Sequence, residues 1–403
     1  MFIYKAGVVG AGAMGAEIAQ VITYAGLPVV LKDVNDDLVQ KGIAKIRAIY
    51  DRRVAKGKMT QAEMEGKLSL AIPATDYEAF RDVDIVIEAV PEKMELKKQV
   101  FRDLEKAVGE GTILATNTSA LSISEIAAVT GNPQKVIGMH FFFPAAVMKL
   151  IEVIPGLATS QETVDDVILF SESLRKLPVK VNECAGFLVN RLLMPYLNEA
   201  AYCLQEGASS REVIDKMATD FGLPMGPFTL VDQLGIDICY DVVQVLLNSY
   251  GNRMQPAEIW GKLYTGRYLG RKTGAGFYTY DSEKKDLLPD WIREVQASRT
   301  KKGDLSLERL LYPMINEAAL CLEENVASAS DIDLSMVAGI GFPQEKGGIL
   351  RYADEVGLDK ILKALESFHK EHGDRFWPAP RLRRMVGAGF VGKKSGRGFH
   401  AYS

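Results

Sequence analysis

Six residues near the start of the chain, Gly10-Ala11-Gly12-Ala13-Met14-Gly15, restrict the fold more than any other stretch. They fit G-x-G-x-x-G, which alone is a weak signal. Their surroundings strengthen it. Ile3 to Val9 reads as a strand, about Met14 to Ala25 as a helix, and Pro28 to Asp33 as a second strand. In such a strand–turn–helix, Gly10 permits the tight turn, Gly12 lets backbone approach a pyrophosphate, and Gly15 lets helix pack closely on strand. The diphosphate then meets a helix N-terminus, where free N–H groups and the dipole favour negative charge. Asp33 stands 18 residues past Gly15. A carboxylate there accepts hydrogen bonds from ribose hydroxyls and repels a 2′-phosphate, so NAD is expected over NADP. Lys32 beside it pulls weakly the other way.

The alternation continues to about residue 183. Asp84 to Ala89 and Thr112 to Ala115 read as buried strands, and a long amphipathic stretch from about Asp36 to Lys67 carries Lys45, Arg47, Arg52, Arg53, Lys56 and Lys58. Near-continuous apolar strands alternating with helices imply a parallel sheet covered on both faces. After Cys184-Ala185-Gly186 the pattern turns helical, and it repeats. Arg191-Leu192-Leu193-Met194-Pro195-Tyr196-Leu197-Asn198-Glu199-Ala200-Ala201 returns 118 positions later as Arg309-Leu310-Leu311-Tyr312-Pro313-Met314-Ile315-Asn316-Glu317-Ala318-Ala319. Gly270-Arg271-Lys272-Thr273-Gly274-Ala275-Gly276-Phe277 returns 122 positions later as Gly392-Lys393-Lys394-Ser395-Gly396-Arg397-Gly398-Phe399. A period this long means duplicated domains, since solenoid repeats are far shorter. The expected division is an α/β dinucleotide-binding domain over 1–184, a helical copy over 185–281, a polar linker over 282–304 and a second helical copy over 305–403.

Composition removes several classes of function. A net charge of −4 provides no basic field for nucleic acid, and no apolar run reaches membrane-spanning length. Neither partner is expected. The start shows no basic region, cleavage site or Arg-rich presequence, and the four cysteines form no C-x-x-C pair. Buried free thiols in a reducing, cytoplasmic setting are expected.

Only four histidines are available for proton chemistry. His369 and His372 have a spacing that can hold a metal, but no third ligand accompanies them, so a solvated helix face is expected and no metal. His400 sits beside Phe399 near the end. His140 closes the apolar run Val136-Ile137-Gly138-Met139, and twelve residues later Glu152 interrupts Leu150-Ile151-Val153-Ile154. A carboxylate in such a run needs a partner, because an unpaired buried charge is very costly. Pro144 and the short segment after it allow the two strands to lie side by side. The residues alone leave two readings open: a catalytic pair, or a core imidazole with an edge-facing glutamate.

Longer motifs carry a resemblance. Thr116-Asn117-Thr118-Ser119-Ala120-Leu121, His140-Phe141-Phe142-Phe143-Pro144, Val147 to Ile154, Gly186-Phe187-Leu188-Val189-Asn190-Arg191, Gly222-Leu223-Pro224-Met225-Gly226-Pro227 and Gly270-Arg271-Lys272-Thr273-Gly274 together resemble the 3-hydroxyacyl-CoA dehydrogenase signature. The resemblance covers nearly the whole chain. It implies a Rossmann-type N-terminal domain and two tandem all-α domains similar to the C-terminal part of 6-phosphogluconate dehydrogenase. It implies NAD-dependent, reversible oxidation of (S)-3-hydroxyacyl-CoA to 3-oxoacyl-CoA in fatty-acid β-oxidation or butanoate-type metabolism, with an acyl-CoA as the small-molecule partner. His140 matches the general base and Glu152 the carboxylate that orients it. Ser119 matches a contact to substrate oxygen and nicotinamide, and Asn190 a substrate-binding residue. Glu92, Lys97 and Lys272 match cofactor contacts, and Arg53 falls near a position that contacts CoA.

One departure stands out. The family pattern His-Phe-Phe-Asn-Pro has Phe143 in place of its Asn here, and Ala145 and Ala146 replace the usual Val and Pro. Phe cannot supply the amide's hydrogen bond near the cofactor. In the second helical copy Glu308 replaces Asn190, and no nucleotide fold precedes it, so one active site is expected. By resemblance the tandem copy fills a dimer partner's place, giving a monomer with an internal pseudo-dimer, or a homodimer. Two alternatives remain: a dehydrogenase of hydroxy acids without CoA, and a nucleotide-binding structural or regulatory protein with impaired chemistry.

Overall fold

The computed structural model describes residues 2–296 and 303–402. The chain divides into two compact units, the first ending at Phe187 and the second beginning at Leu188. This division falls three residues after the Cys184 boundary expected from the change in pattern.

The first unit is built on eight strands: β1 (Ala6–Val9), β2 (Val29–Lys32), β3 (Ala71–Ala74), β4 (Ile85–Glu88), β5 (Ile113–Thr116), β6 (Val136–Phe141), β7 (Leu150–Pro155) and β8 (Leu177–Lys180). They form one sheet in the order β3-β2-β1-β4-β5-β6-β7-β8. Helices α1 (Ala13–Ala25), α2 (Asp36–Ala55), α3 (Gln61–Leu68), α4 (Met94–Ala107), α5 (Ile123–Ala127) and α6 (Gln161–Ser173) connect them. Strands β1, β2, β4 and β5 are buried at every residue, as strands covered on both faces must be. The sheet is not wholly parallel. β6 and β7 pair antiparallel, and β8 runs parallel to β7, so the last two strands reverse the direction of the first six. A short connection such as 142–149 can close an antiparallel pair, whereas a parallel return needs a longer crossover.

The long amphipathic stretch from Asp36 forms two helices. Helix α2 starts on the Asn35 side chain, which accepts from the Leu38 amide, and it ends before Gly57, whose φ of 64° a helix cannot continue. Thr60 and Glu63 then form a reciprocal capping box that starts α3.

The second unit repeats element for element. Helices Val189–Gln205, Arg211–Phe221, Pro227–Leu234, Ile236–Tyr250 and Glu258–Thr265 recur as Leu307–Glu323, Ala329–Ile340, Ile349–Val356, Leu358–His372 and Pro380–Gly387. The Gly270–Ala275 bridge recurs as Gly392–Arg397. The copies meet through reciprocal buried ion pairs. Arg191 reaches Glu317 at 2.7 Å and Glu324 at 2.7 Å, and its counterpart Arg309 reaches Glu199 at 2.7 Å and Glu206 at 2.6 Å. Arg253 pairs with Glu317 at 2.9 Å and its counterpart Arg375 with Glu199 at 2.6 Å. Each arginine is answered from the other copy, the pattern of a two-fold interface held within one chain.

The segment expected as a polar linker, 282–304, carries a helix over Leu288–Gln296 with Leu288 and Val295 buried, and Asp286 pairs with Arg211 at 2.7 Å. Amphipathic spacing hidden among charges accounts for the difference; residues 297–302 of that segment lie outside the described residues. The cysteines are free, with Cys203, Cys239 and Cys321 buried and Cys184 half-buried. No helix among the described residues is long and apolar enough to cross a membrane.

Candidate active site

Strand order reverses between β1 and β4, and such a switch point opens a crevice at the carboxyl ends of the strands. On one side of it lies the glycine turn. Gly10 adopts φ 101° and its amide donates to the Lys32 carbonyl at 2.8 Å. A Cβ on Gly15 would stand 1.7 Å from the Gly10 oxygen, so no larger residue fits, whereas one on Gly12 would meet nothing within 4 Å. That open space faces the start of α1, which has no side-chain cap and leaves its first amides for a ligand. Asp33 ties the turn down, accepting from the Ala11 and Val34 amides, each at 2.7 Å. A cleft of about 420 Å³ lined by Ala11, Gly12, Asp33, Leu38, Lys41 and Lys45 continues from it. The narrow turn, the open approach at Gly12 and the carboxylate beyond fit the diphosphate and adenine-side ribose of a dinucleotide.

On the other side of the reversal, the ends of β4 and β5 carry a charged cluster. Glu88 closes β4 fully buried and accepts from Lys97 Nζ at 2.8 Å, the Val90 amide at 2.7 Å and the Thr116 hydroxyl at 2.6 Å. Lys97, 1% exposed, also reaches Glu92 at 3.2 Å. Glu92 in turn accepts from the Thr118 hydroxyl at 2.5 Å, the Ser119 amide at 2.8 Å and the Ser119 hydroxyl at 3.2 Å. Burial would push the Glu92 carboxyl up, but Lys97 and these donors together hold it below the usual carboxylate range. Lys97 is therefore the shared counter-ion of Glu88 and Glu92.

His140 and Glu152 occupy directly opposed positions in the β6–β7 ladder. Opposed residues point to the same face, and His140 Nδ1 meets Glu152 Oε2 at 2.7 Å with both side chains nearly closed to solvent. Phe142 and Phe187 flank the imidazole with ring centroids 4.5 Å and 5.9 Å away. The bond at Nδ1 leaves Nε2 as the nitrogen for a substrate. The Asn117 side chain accepts from the Phe141 amide at 2.8 Å, which ties the segment after β5 to the end of β6.

The connection between these strands is gripped from two sides. Lys176 donates to the Ala145 and Met148 carbonyls at 2.5 Å and 2.7 Å, and Glu17 of α1 accepts from the Ala146 amide at 3.3 Å. Burial pushes the Lys176 ammonium down to about 8. Phe143 projects outward, 51% exposed.

The remaining residues fall elsewhere. Arg53 is committed to Tyr24, donating to its hydroxyl at 2.7 Å and lying 4.4 Å over its ring; Arg52, Lys56 and Lys58 are exposed around it. Asn190 is the second residue of helix Val189–Gln205, and Lys272 pairs with Asp237 at 2.5 Å, both within the second unit. Glu308, at the place of Asn190 in the second copy, is exposed. His372 is not on a solvated face: burial, with Arg309 and Arg375, lowers its pKa. Asp304, Glu371 and His372 bring ligand atoms within 4.8 Å, but those two guanidiniums oppose a cation there. His400 binds Asp333 at 2.7 Å, where the first copy has Tyr278 on Asp215.

Glu88, Asn117, Glu17 and Lys176 were not singled out from sequence. Glu88 carried a usable signal, the same one that marked Glu152: a carboxylate within an apolar strand.

Comparison with known proteins agrees with this geometry. Residues 5–184 match the NAD binding domain of 3-hydroxyacyl-CoA dehydrogenase, and its C-terminal domain matches twice, over 186–280 and 306–402. The fatty acid oxidation complex subunit alpha of Shewanella amazonensis is 39% identical over 395 residues, which is 96% of this chain and 56% of that protein, so the chain spans little more than half of this relative. The crystal structure of 3-hydroxybutyryl-CoA dehydrogenase from Escherichia coli superposes with a TM-score of 0.87 at 31% identity, covering 97% of this chain and all of that one. That of (S)-3-hydroxybutyryl-CoA dehydrogenase from Ralstonia eutropha is 41% identical with a TM-score of 0.68, covering 70% of this chain and all of its own. With both domain models matched in order and the glycine turn and histidine–glutamate pair in place, this chain belongs to the 3-hydroxyacyl-CoA dehydrogenase family.

Proposed function

We propose that this chain oxidises the 3-hydroxyl of a (S)-3-hydroxyacyl-CoA to the 3-oxo compound, reversibly, with NAD. The observation that carries the reading is the His140–Glu152 pair, set in the sheet whose glycine turn fits the dinucleotide. His140 takes the hydroxyl proton at Nε2, a contribution of about 10²–10⁴-fold. Glu152 holds the imidazole through Nδ1 and stabilises it once protonated, as a carboxylate does in a triad. NAD, which the glycine turn and Asp33 would hold, would supply the acceptor for the hydride from C3. Ser119, held by Glu92, is the residue we assign to the substrate oxygen and nicotinamide; Asn190 is assigned to the substrate, and Lys272 and Asp33 to the cofactor. The exposed basic residues around Arg53 suit a CoA phosphate. The four free cysteines agree with a reducing, cytoplasmic setting.

The test is NADH formation. With 3-hydroxybutyryl-CoA and NAD, turnover should exceed that with NADP or with free 3-hydroxybutyrate by more than about tenfold. Equal rates with the free acid would overturn the CoA assignment, and no NADH from any 3-hydroxyacyl-CoA would overturn the enzyme.

We also propose that the second helical copy replaces a partner subunit. The reciprocal Arg191/Glu317 and Arg309/Glu199 pairs support this reading. Active protein should sediment as a single chain; activity confined to a dimer peak would contradict it.

A further inference from the structure

With Asp33, just after β2, assigned to the adenine-side ribose, a dinucleotide lying across the β1/β4 reversal extends its nicotinamide half over the ends of β4 and β5. That is where the Glu88–Lys97–Glu92 cluster lies. Its charges do not cancel. Two carboxylates share one ammonium. All the partners of Glu88 are donors, namely Lys97, the Val90 amide and the Thr116 hydroxyl, the set an ionised carboxylate takes. Glu92 is held below the usual carboxylate range. The cluster therefore keeps a net negative charge. Glu88 is fully buried and Lys97 nearly so, so water screens the charge at Glu88 poorly, while Glu92 above them is partly open to solvent. The oxidised nicotinamide ring is a cation and the reduced ring is neutral.

We infer that Glu88, a buried residue with no assigned contact to cofactor or substrate, biases the site toward the oxidised dinucleotide by supplying the uncompensated negative charge beneath the nicotinamide. The role is electrostatic and acts through Lys97 and Glu92. It rests on the NAD reading above. It also separates Glu88 from the His140–Glu152 pair, which makes its own hydrogen bond on β6 and β7 and shares no side-chain bond with Glu88.

The experiment compares dissociation constants of NAD and NADH for the full chain, by NADH fluorescence and competition titration. Glu88→Gln should raise the ratio of the NAD constant to the NADH constant about fivefold, because only the cationic form loses an attraction. Glu88→Asp keeps the charge and should hold the ratio within about twofold of the parent. An unchanged ratio in Glu88→Gln, or an equal weakening of both forms, overturns the inference. Should Glu88→Gln fail to fold, Glu92→Gln makes the same charge change nearer the surface; a flat ratio there overturns it equally. If neither nucleotide binds the unmodified chain, the cofactor reading itself falls, and this inference with it.

Discussion

Replacing His140 with Gln is expected to lower kcat by about a thousandfold while leaving the NAD dissociation constant within about threefold of the parent. The size follows from the single proton acceptor at Nε2, for which an amide is no substitute. Selectivity for kcat follows from the topology, because β4 and β5 separate the glycine turn after β1 from His140 on β6. Gln is the informative replacement. Its amide can still donate to Glu152, so the buried carboxylate is not left bare, and a folding defect does not masquerade as lost chemistry. Steady-state turnover with a 3-hydroxyacyl-CoA, paired with nucleotide titration, makes the check. A variant retaining more than about a tenth of parental kcat would remove His140 from the base role.

The second large effect lies in the helical unit. Arg309→Leu should cost about 3–5 kcal/mol of stability, because removing one member of a buried ion pair leaves its partners charged and desolvated. Glu199 and Glu206, 2% and 10% exposed in their side chains, lose their shared guanidinium, and Arg375 remains to meet only part of that charge. Urea unfolding, with the slope checked for a constant value, reads the change. Lys41→Ala, which breaks the exposed Lys41–Asp37 pair, serves as the control and should leave the midpoint nearly unmoved. Equal shifts for the two variants would mean that the seam is held by apolar packing rather than by its charges.

Much of this architecture was legible because its signals are local. The glycine turn, the apolar strands β1, β4 and β5, and the recurrence of Arg191-Leu192-Leu193 as Arg309-Leu310-Leu311 announce themselves within a few residues. His140 and Glu152 were visible as polar intrusions in apolar strands. What escaped depends on distant partners. β3, Ala71-Ile72-Pro73-Ala74, is a short and half-exposed edge strand with almost no pattern of its own. The reversal of β7 and β8 is decided by the connection that brings Leu150–Pro155 back beside β6, a feature outside any one window. Lys97 resembles a surface lysine on an amphipathic helix until Glu88, nine residues away, claims it. His372 looked solvated within its charged run because Arg309, which with the neighbouring Arg375 and burial lowers its pKa, comes from another helix 63 positions earlier.

The opposed placement of His140 and Glu152 limits how such a gene can vary. Beyond Phe142, which packs against the imidazole, point changes in the connecting segment are tolerable for the pair, since neither partner is carried there; Phe143 itself points outward. A single-codon insertion within Val136–Phe141 or Leu150–Pro155 is another matter. With a strand period of two, a slip by one residue would turn one partner to the opposite side of the sheet. Lineages descended from this chain are thus free to drift in the wording of the bend but not in the frame of the two strands that flank it.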